Sequence, residues 1–272
     1  MSRRATRCTT PNARFRKLTD APARQSQPAA NLPVAGFVLL AMVTLFWGAN
    51  WPGMKIVLGE IPPWWFRTIC LACGGAALLA ISAASGNRLR LTRSDIAPML
   101  LTAVFNMIGW HLFSAYGLTL VPAGRASIIA FTMPVWAALA SVPLLGDRLK
   151  INVVAGLLLG MTGLGVLIGN DISVLGSAPV GALFMLGAAM SWGIGTVLFK
   201  RFDWRSPIAT IIGWQLVLAS VPVGAGALLL EPLPDLASLS GPAIIALVYV
   251  LALPMVFCQW AYFKIVRMFP AV

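Results

Sequence analysis

A few residues in this chain could hold or move a polar solute inside an otherwise apolar sequence. Trp47, Asn50 and Trp51 fall at i, i+3 and i+4, so a helix through them shows two indoles and an amide on one face. Asn106 and Trp110 repeat the pairing at i and i+4, with His111 beside them. Trp192, Trp214, Gln215 and Gln259 complete the candidate substrate-binding set. Such faces suit binding rather than bond-making: aromatic walls with a few amides accept a neutral, zwitterionic or aromatic small molecule. Each residue also has a second use. Asn and Gln join helices in an apolar medium, and a buried His can simply hydrogen-bond a neighbouring helix. His111 titrates near neutral pH, so proton coupling is the other reading of that position.

Covalent chemistry finds little to work with. The chain contains one His, no His-Glu-x-x-His, no Gly-x-Ser-x-Gly and no pair of carboxylates within an apolar segment. Cys70 and Cys73 have metal or redox spacing but lie in an apolar stretch without further ligands, so they read as packing residues. No metal and no cofactor is expected. All eight acids (Asp20, Glu60, Asp95, Asp147, Asp171, Asp203, Glu231 and Asp235) fall in the N-terminal tail, in loops or at helix ends. A cationic solute would find no counter-charge mid-segment, and a carboxylate proton relay is unavailable. A membrane-embedded enzyme is thus a weaker reading than a carrier.

The elements that must position these residues follow from composition. The chain is 59% hydrophobic and 10% charged, with a mean hydropathy of +0.85, whereas soluble domains are roughly a quarter charged. Its solvent is expected to be lipid. A span needs about 20 apolar residues, and that ruler finds eight: 34–56, 61–84, 97–119, 122–146, 151–169, 178–199, 207–230 and 242–265. The fold class is an all-α integral membrane protein. Residues 1–33 form a basic, disordered cytoplasmic tail; an organelle transit peptide or an over-extended gene start are open alternatives.

The formal net charge is +12. Seventeen of the twenty basic residues fall in the tail or follow the second, fourth, sixth and eighth segments. Lys and Arg accumulate in short cytoplasmic loops. The charge therefore encodes orientation in the inner (plasma) membrane with the N-terminus inside, and not nucleic-acid binding. The expected partners are the bilayer and a small-molecule substrate, with a homodimer allowed.

A repeat runs through the chain. At an offset of 145 residues Trp47, Gly48, Lys55 and Pro62 fall on Trp192, Gly193, Lys200 and Pro207. At an offset of 148, Pro122 falls on Pro270 and His111 on Gln259. Five helices in the first unit (34–170) make the second (178–272) enter from the opposite side, an inverted repeat of the kind found in secondary transporters. The second unit holds three helices and the start of a fourth, so the chain reads as truncated, eight helices of ten.

"LFWGANWPGMKIVLGEIPPWWFRTIC" resembles the first two helices of EamA-type transporters of the drug/metabolite transporter superfamily. Phe46, Trp47, Gly48, Asn50, Lys55, Pro62 and Arg67 carry that likeness. The segment from Leu120 to Ile168 is similar to the family's fourth and fifth helices through Pro134, Gly146, Arg148, Leu149 and Gly156, with Asp147 where Glu is usual. The resemblance implies ten helices in two inverted units and transport of small metabolites, amino acids or drugs. The expected activity is alternating-access movement of a small metabolite, amino-acid-like, neutral, zwitterionic or aromatic. The competing reading is a non-transporting remnant, or a half that needs a second chain.

Overall fold

A computed structural model describes residues 34–168 and 179–268. The basic tail and Pro270 lie outside the described residues. Among the described residues eight membrane-type helices follow one another: α1 Val34–Val57, α2 Pro63–Ala84, α3 Arg93–Leu120, α4 Ala123–Leu145, α5 Ile151–Ile168, α6 Pro179–Arg201, α7 Ile208–Leu230 and α8 Gly241–Met268. Seven are long and apolar enough to cross a bilayer, and Ile151–Gly163 of α5 is a shorter apolar stretch. Large apolar side chains point outwards: Leu229 is 83% exposed, Ile151 77% and Ile245 72%. An aqueous globule would hide such a belt; lipid wets it. The chain is a multi-pass α-helical membrane protein.

Helix ends are written in local chemistry. Pro62, Pro122 and Pro207 are N-caps of α2, α4 and α7; their fixed φ suits a helix start, where the missing N–H is not needed. The Ser240 side chain caps α8, accepting from Ala243 N. Gly86 and Gly146 take φ of 75° and 72° just past the ends of α2 and α4, the left-handed turn that glycine allows without strain.

Hydrogen bonds between loops sort the helix ends into two groups. At one end, Lys55 Nζ donates to carbonyls at the close of α3. There Glu231 accepts from the Trp64 and Trp65 amides at 3.0 and 3.2 Å, and Glu60 accepts from the Ser240 amide at 2.8 Å. At the other end, Asp95 accepts from Ser206 N at 2.8 Å, Trp214 Nε1 donates to Leu89 O at 2.8 Å and Arg201 Nη1 donates to Leu144 O at 3.1 Å. Successive helices therefore run up and down, as parity requires. Arg88, Arg90, Arg93, Arg148, Lys150, Arg201 and Arg205 belong to the second end.

Two helices carry a wider turn in mid-course. Val104–Gly109 of α3 and Leu251–Cys258 of α8 are π-helical, and the 148-residue offset superimposes them. Pro254 explains the second, since it removes a backbone donor; the first contains no proline. In α4 the helix is interrupted between Ala130 and Met133, just before Pro134. At Pro52, by contrast, α1 runs on without interruption.

The tightest helix contacts occur at glycines. An added Cβ on Gly75 of α2 would lie 2.8 Å from the backbone nitrogen of Val217 in α7, and one on Gly195 of α6 only 1.9 Å from Asn106 Oδ1 of α3. Gly156 and Gly160 of α5, which the sequence suggests as a close-packing pair, meet nothing within 4 Å. Helix contact here is decided by which faces meet, and their face meets none.

Candidate functional site

A cavity of about 370 Å³ lies within the bundle, bounded by α1, α2, α3, α4, α6 and α8. That is within the range of small-molecule sites. The helical period that puts Trp47, Asn50 and Trp51 on one face of α1 aims that face into it, and Trp110, His111, Trp192 and Gln259 join from three other helices. Four indoles form a continuous wall. Ring centroids are 6.3 Å apart for Trp51 and Trp110, 5.1 Å for Trp110 and Trp192, and 5.6 Å for Trp192 and Trp47. Edge and tilted contacts of this kind hold each ring in place while leaving faces free for a ligand. Trp47 with Trp192, and His111 with Gln259, are pairs related by the internal repeat, and each pair meets at this cavity.

Three candidates lie elsewhere. Asn106 is fully buried between α3 and α6, its amide pressed against Gly195, with neither amide atom hydrogen-bonded. Gln215 Nε2 donates to Thr102 Oγ1 at 2.5 Å and joins α7 to α3. Trp214 clamps the loop between α2 and α3 through Leu89. Gln215 alone takes the helix-joining use that the sequence left open; Trp214 holds a loop, and Asn106 is packed between helices without a hydrogen bond.

The polar atoms that do face the cavity are under-used. Both ring nitrogens of His111 are buried without a hydrogen-bond partner, as are Asn50 Oδ1 and Gln259 Oε1. A buried polar group without a partner costs about 1–3 kcal/mol, and water or a ligand in the cavity would remove that cost. For His111 the helix-to-helix hydrogen bond offered as its structural use is absent from the ring.

Two lining residues absent from the sequence candidates bear on the cavity's chemistry. Tyr262 stands three residues after Gln259, on the same face of α8, and that spacing was the available signal. Its ring lies 5.1 Å from Trp47 and 5.2 Å from Trp192. Trp47, Trp192 and Tyr262, with Phe131, Met133 and Pro134, line both the central cavity and a second one of about 480 Å³ that reaches Lys200. Arg67 is the other. Its place near the start of α2 suits either a stem reaching the interface towards Glu60 or a head that steers an anionic group; it is 2% exposed and lines the central cavity. Its Nε donates to His111 O at 2.9 Å and its Nη2 to Ser114 Oγ at 2.9 Å, while Glu60 is held by Ser240. Among the described residues no carboxylate pairs with Arg67.

The fold and cavity define a class: a bundle of membrane-length helices around a central aromatic chamber, with polar valences turned inward. Residues 34–169 match the model of the EamA-like transporter family, and the chain belongs to that family. It is 34% identical over 189 residues to the uncharacterized transporter YvbV of Bacillus subtilis, covering 68% of this chain and 60% of that protein. It is 31% identical over 166 residues to the aromatic amino acid exporter YddG of Ancylobacter novellus, covering 60% of this chain and 57% of that one. The chain thus spans about three-fifths of the length of these curated relatives. A solved crystal structure shares the fold, with a TM-score of 0.67 at 23% identity over 86% of this chain and 79% of its own.

Proposed function

We propose that this chain carries a small aromatic or amino-acid-like metabolite across the inner membrane by alternating access, without chemical catalysis. The observation that carries this reading is the central cavity, walled by four indoles and sharing Trp47, Trp192 and Tyr262 with a second cavity beside it. A solute bound against the indoles passes when those rings part, and the rings rejoin behind it. The π turns in α3 and α8 and the break in α4 are the places where a helix can flex. Their near-symmetric placement supports two units, 34–170 and 178–272, of opposite orientation. The relative named as an aromatic amino acid exporter supports the substrate class, and the basic residues at one end support an N-terminus inside.

Counterflow into proteoliposomes holding the purified 272-residue chain tests it. Labelled phenylalanine or tryptophan should enter saturably, alanine poorly, and Trp47→Ala or Trp192→Ala should cut the rate at least tenfold. Uptake no faster than in protein-free vesicles, or variants as fast as the parent, would refute the reading.

A further inference from the structure

We propose that Arg67 and Asn50 together receive the charged headgroup of a zwitterionic substrate, Arg67 taking the carboxylate and the Asn50 side-chain oxygen the ammonium. The inference rests on reading the cavity as a solute site and adds the chemistry at one part of its wall.

Three observations converge there. First, the guanidinium is only partly used: Nε and Nη2 are tied to His111 O and Ser114 Oγ, and no hydrogen bond leaves Nη1. Second, Asn50 Oδ1 is a buried acceptor without a donor. Third, both residues touch one atom. Asn50 Nδ2 lies 2.9 Å from Met54 Sδ, and Arg67 Nη2 lies 3.7 Å from the same sulfur. The two side chains therefore meet at one sulfur on the cavity wall, each with a polar atom, Nη1 and Oδ1, left unused.

The acids that could have neutralised Arg67 internally are engaged elsewhere. Glu60 is held by Ser240, Glu231 by the Trp64 and Trp65 amides and Asp235 by the Ala237 amide. A guanidinium fork binds carboxylate through parallel, charge-assisted bonds. An ammonium needs acceptors and finds one in the amide oxygen. With the headgroup over Met54, an aromatic side chain reaches the indole wall, which begins at Trp51, next to Asn50 in sequence.

If Arg67 only tied α2 to α3, affinity would not depend on whether a ligand carries a carboxylate. Three probes of one shape separate the cases: phenylalanine, 3-phenylpropionate (no ammonium) and phenethylamine (no carboxylate). Binding to the full chain in nanodiscs is read by tryptophan fluorescence. Phenylalanine should bind tightest, and phenethylamine about 10- to 100-fold more weakly, the usual consequence of leaving a charged donor unpaired. Arg67→Lys should weaken phenylalanine and 3-phenylpropionate but not phenethylamine, and Asn50→Ala should remove the advantage of phenylalanine over 3-phenylpropionate. The ranking in the unaltered protein stands by itself if a variant does not fold. Phenethylamine binding as tightly as phenylalanine, or Arg67→Lys weakening all three equally, would overturn the assignment and leave the cavity reading intact. Failure of all three probes to bind the unaltered protein would remove the cavity reading and this inference together.

Discussion

Lys55 illustrates how much a single side chain depends on its neighbours. Its place near the end of α1 suggests a cation resting among lipid headgroups. Instead its Nζ donates to the carbonyls of Leu118 at 2.5 Å, and of Thr119 and Val121 at 3.3 Å. The last carbonyls of a helix lack intrahelical donors, and a cation there also meets the negative end of the helix dipole. Lys55→Met should therefore lower stability by about 1–2 kcal/mol, read as a lower melting temperature of the purified protein; an unchanged melt would show that the cap contributes nothing. The α1 candidates were legible because their spacing names a common face and amides in lipid turn inward. Arg67 was not legible, because nothing local says that His111 O and Ser114 on α3 would reach across to it.

At the scale of the helices, proximity and glycine content are separable. Gly75 of α2 packs against α7 so closely that a methyl group would meet the Val217 nitrogen at 2.8 Å and the Gly213 carbonyl at 2.9 Å. Both are backbone atoms and cannot swing aside. Gly75→Ala should therefore destabilise by about 1–3 kcal/mol. Gly160→Ala, with nothing within 4 Å, should be neutral or gain up to about 1 kcal/mol from helix propensity. Thermal denaturation of the two variants, followed by the fraction that stays monodisperse, checks the contrast, and equal losses would contradict it. The Gly-x-x-x-Gly spacing in α5 signals small residues at a helix contact, but spacing cannot report whether another face arrives to use it.

For the molecule as a whole, the decisive pattern is the bias of basic residues towards one end. The loops at 85–92, 146–150 and 202–207 hold Arg88, Arg90, Arg148, Lys150 and Arg205, against Lys55 and Arg125 at the opposite end, while acids fall at both. Positive charge resists transfer across the bilayer, and the orientation we propose accordingly puts the basic end in the cytoplasm. Cysteines introduced at Glu60 or Leu236 should react with a membrane-impermeant maleimide added to intact cells, and one introduced at Arg148 should react only after lysis. The reverse pattern would invert the protein. The eight helices were found from hydropathy to within a few residues at most ends, because a bilayer sets one length and one polarity for every span.

Residue order alone settled the solvent, the helices, their up-and-down course and the α1 face that lines the cavity, since each follows from periodicity and from the cost of exposing polar groups to lipid. Tertiary structure decided which amides face the cavity and which are packed between helices. Asn50 and Gln259 reached the cavity, whereas Asn106 and Gln215 were spent on contacts between α3 and its neighbours. It also decided that Arg67 lies inside and Lys55 caps a helix. The physical reason is that periodicity fixes which side chains share a helix face, while the partner or cavity that face meets is chosen by which helices touch.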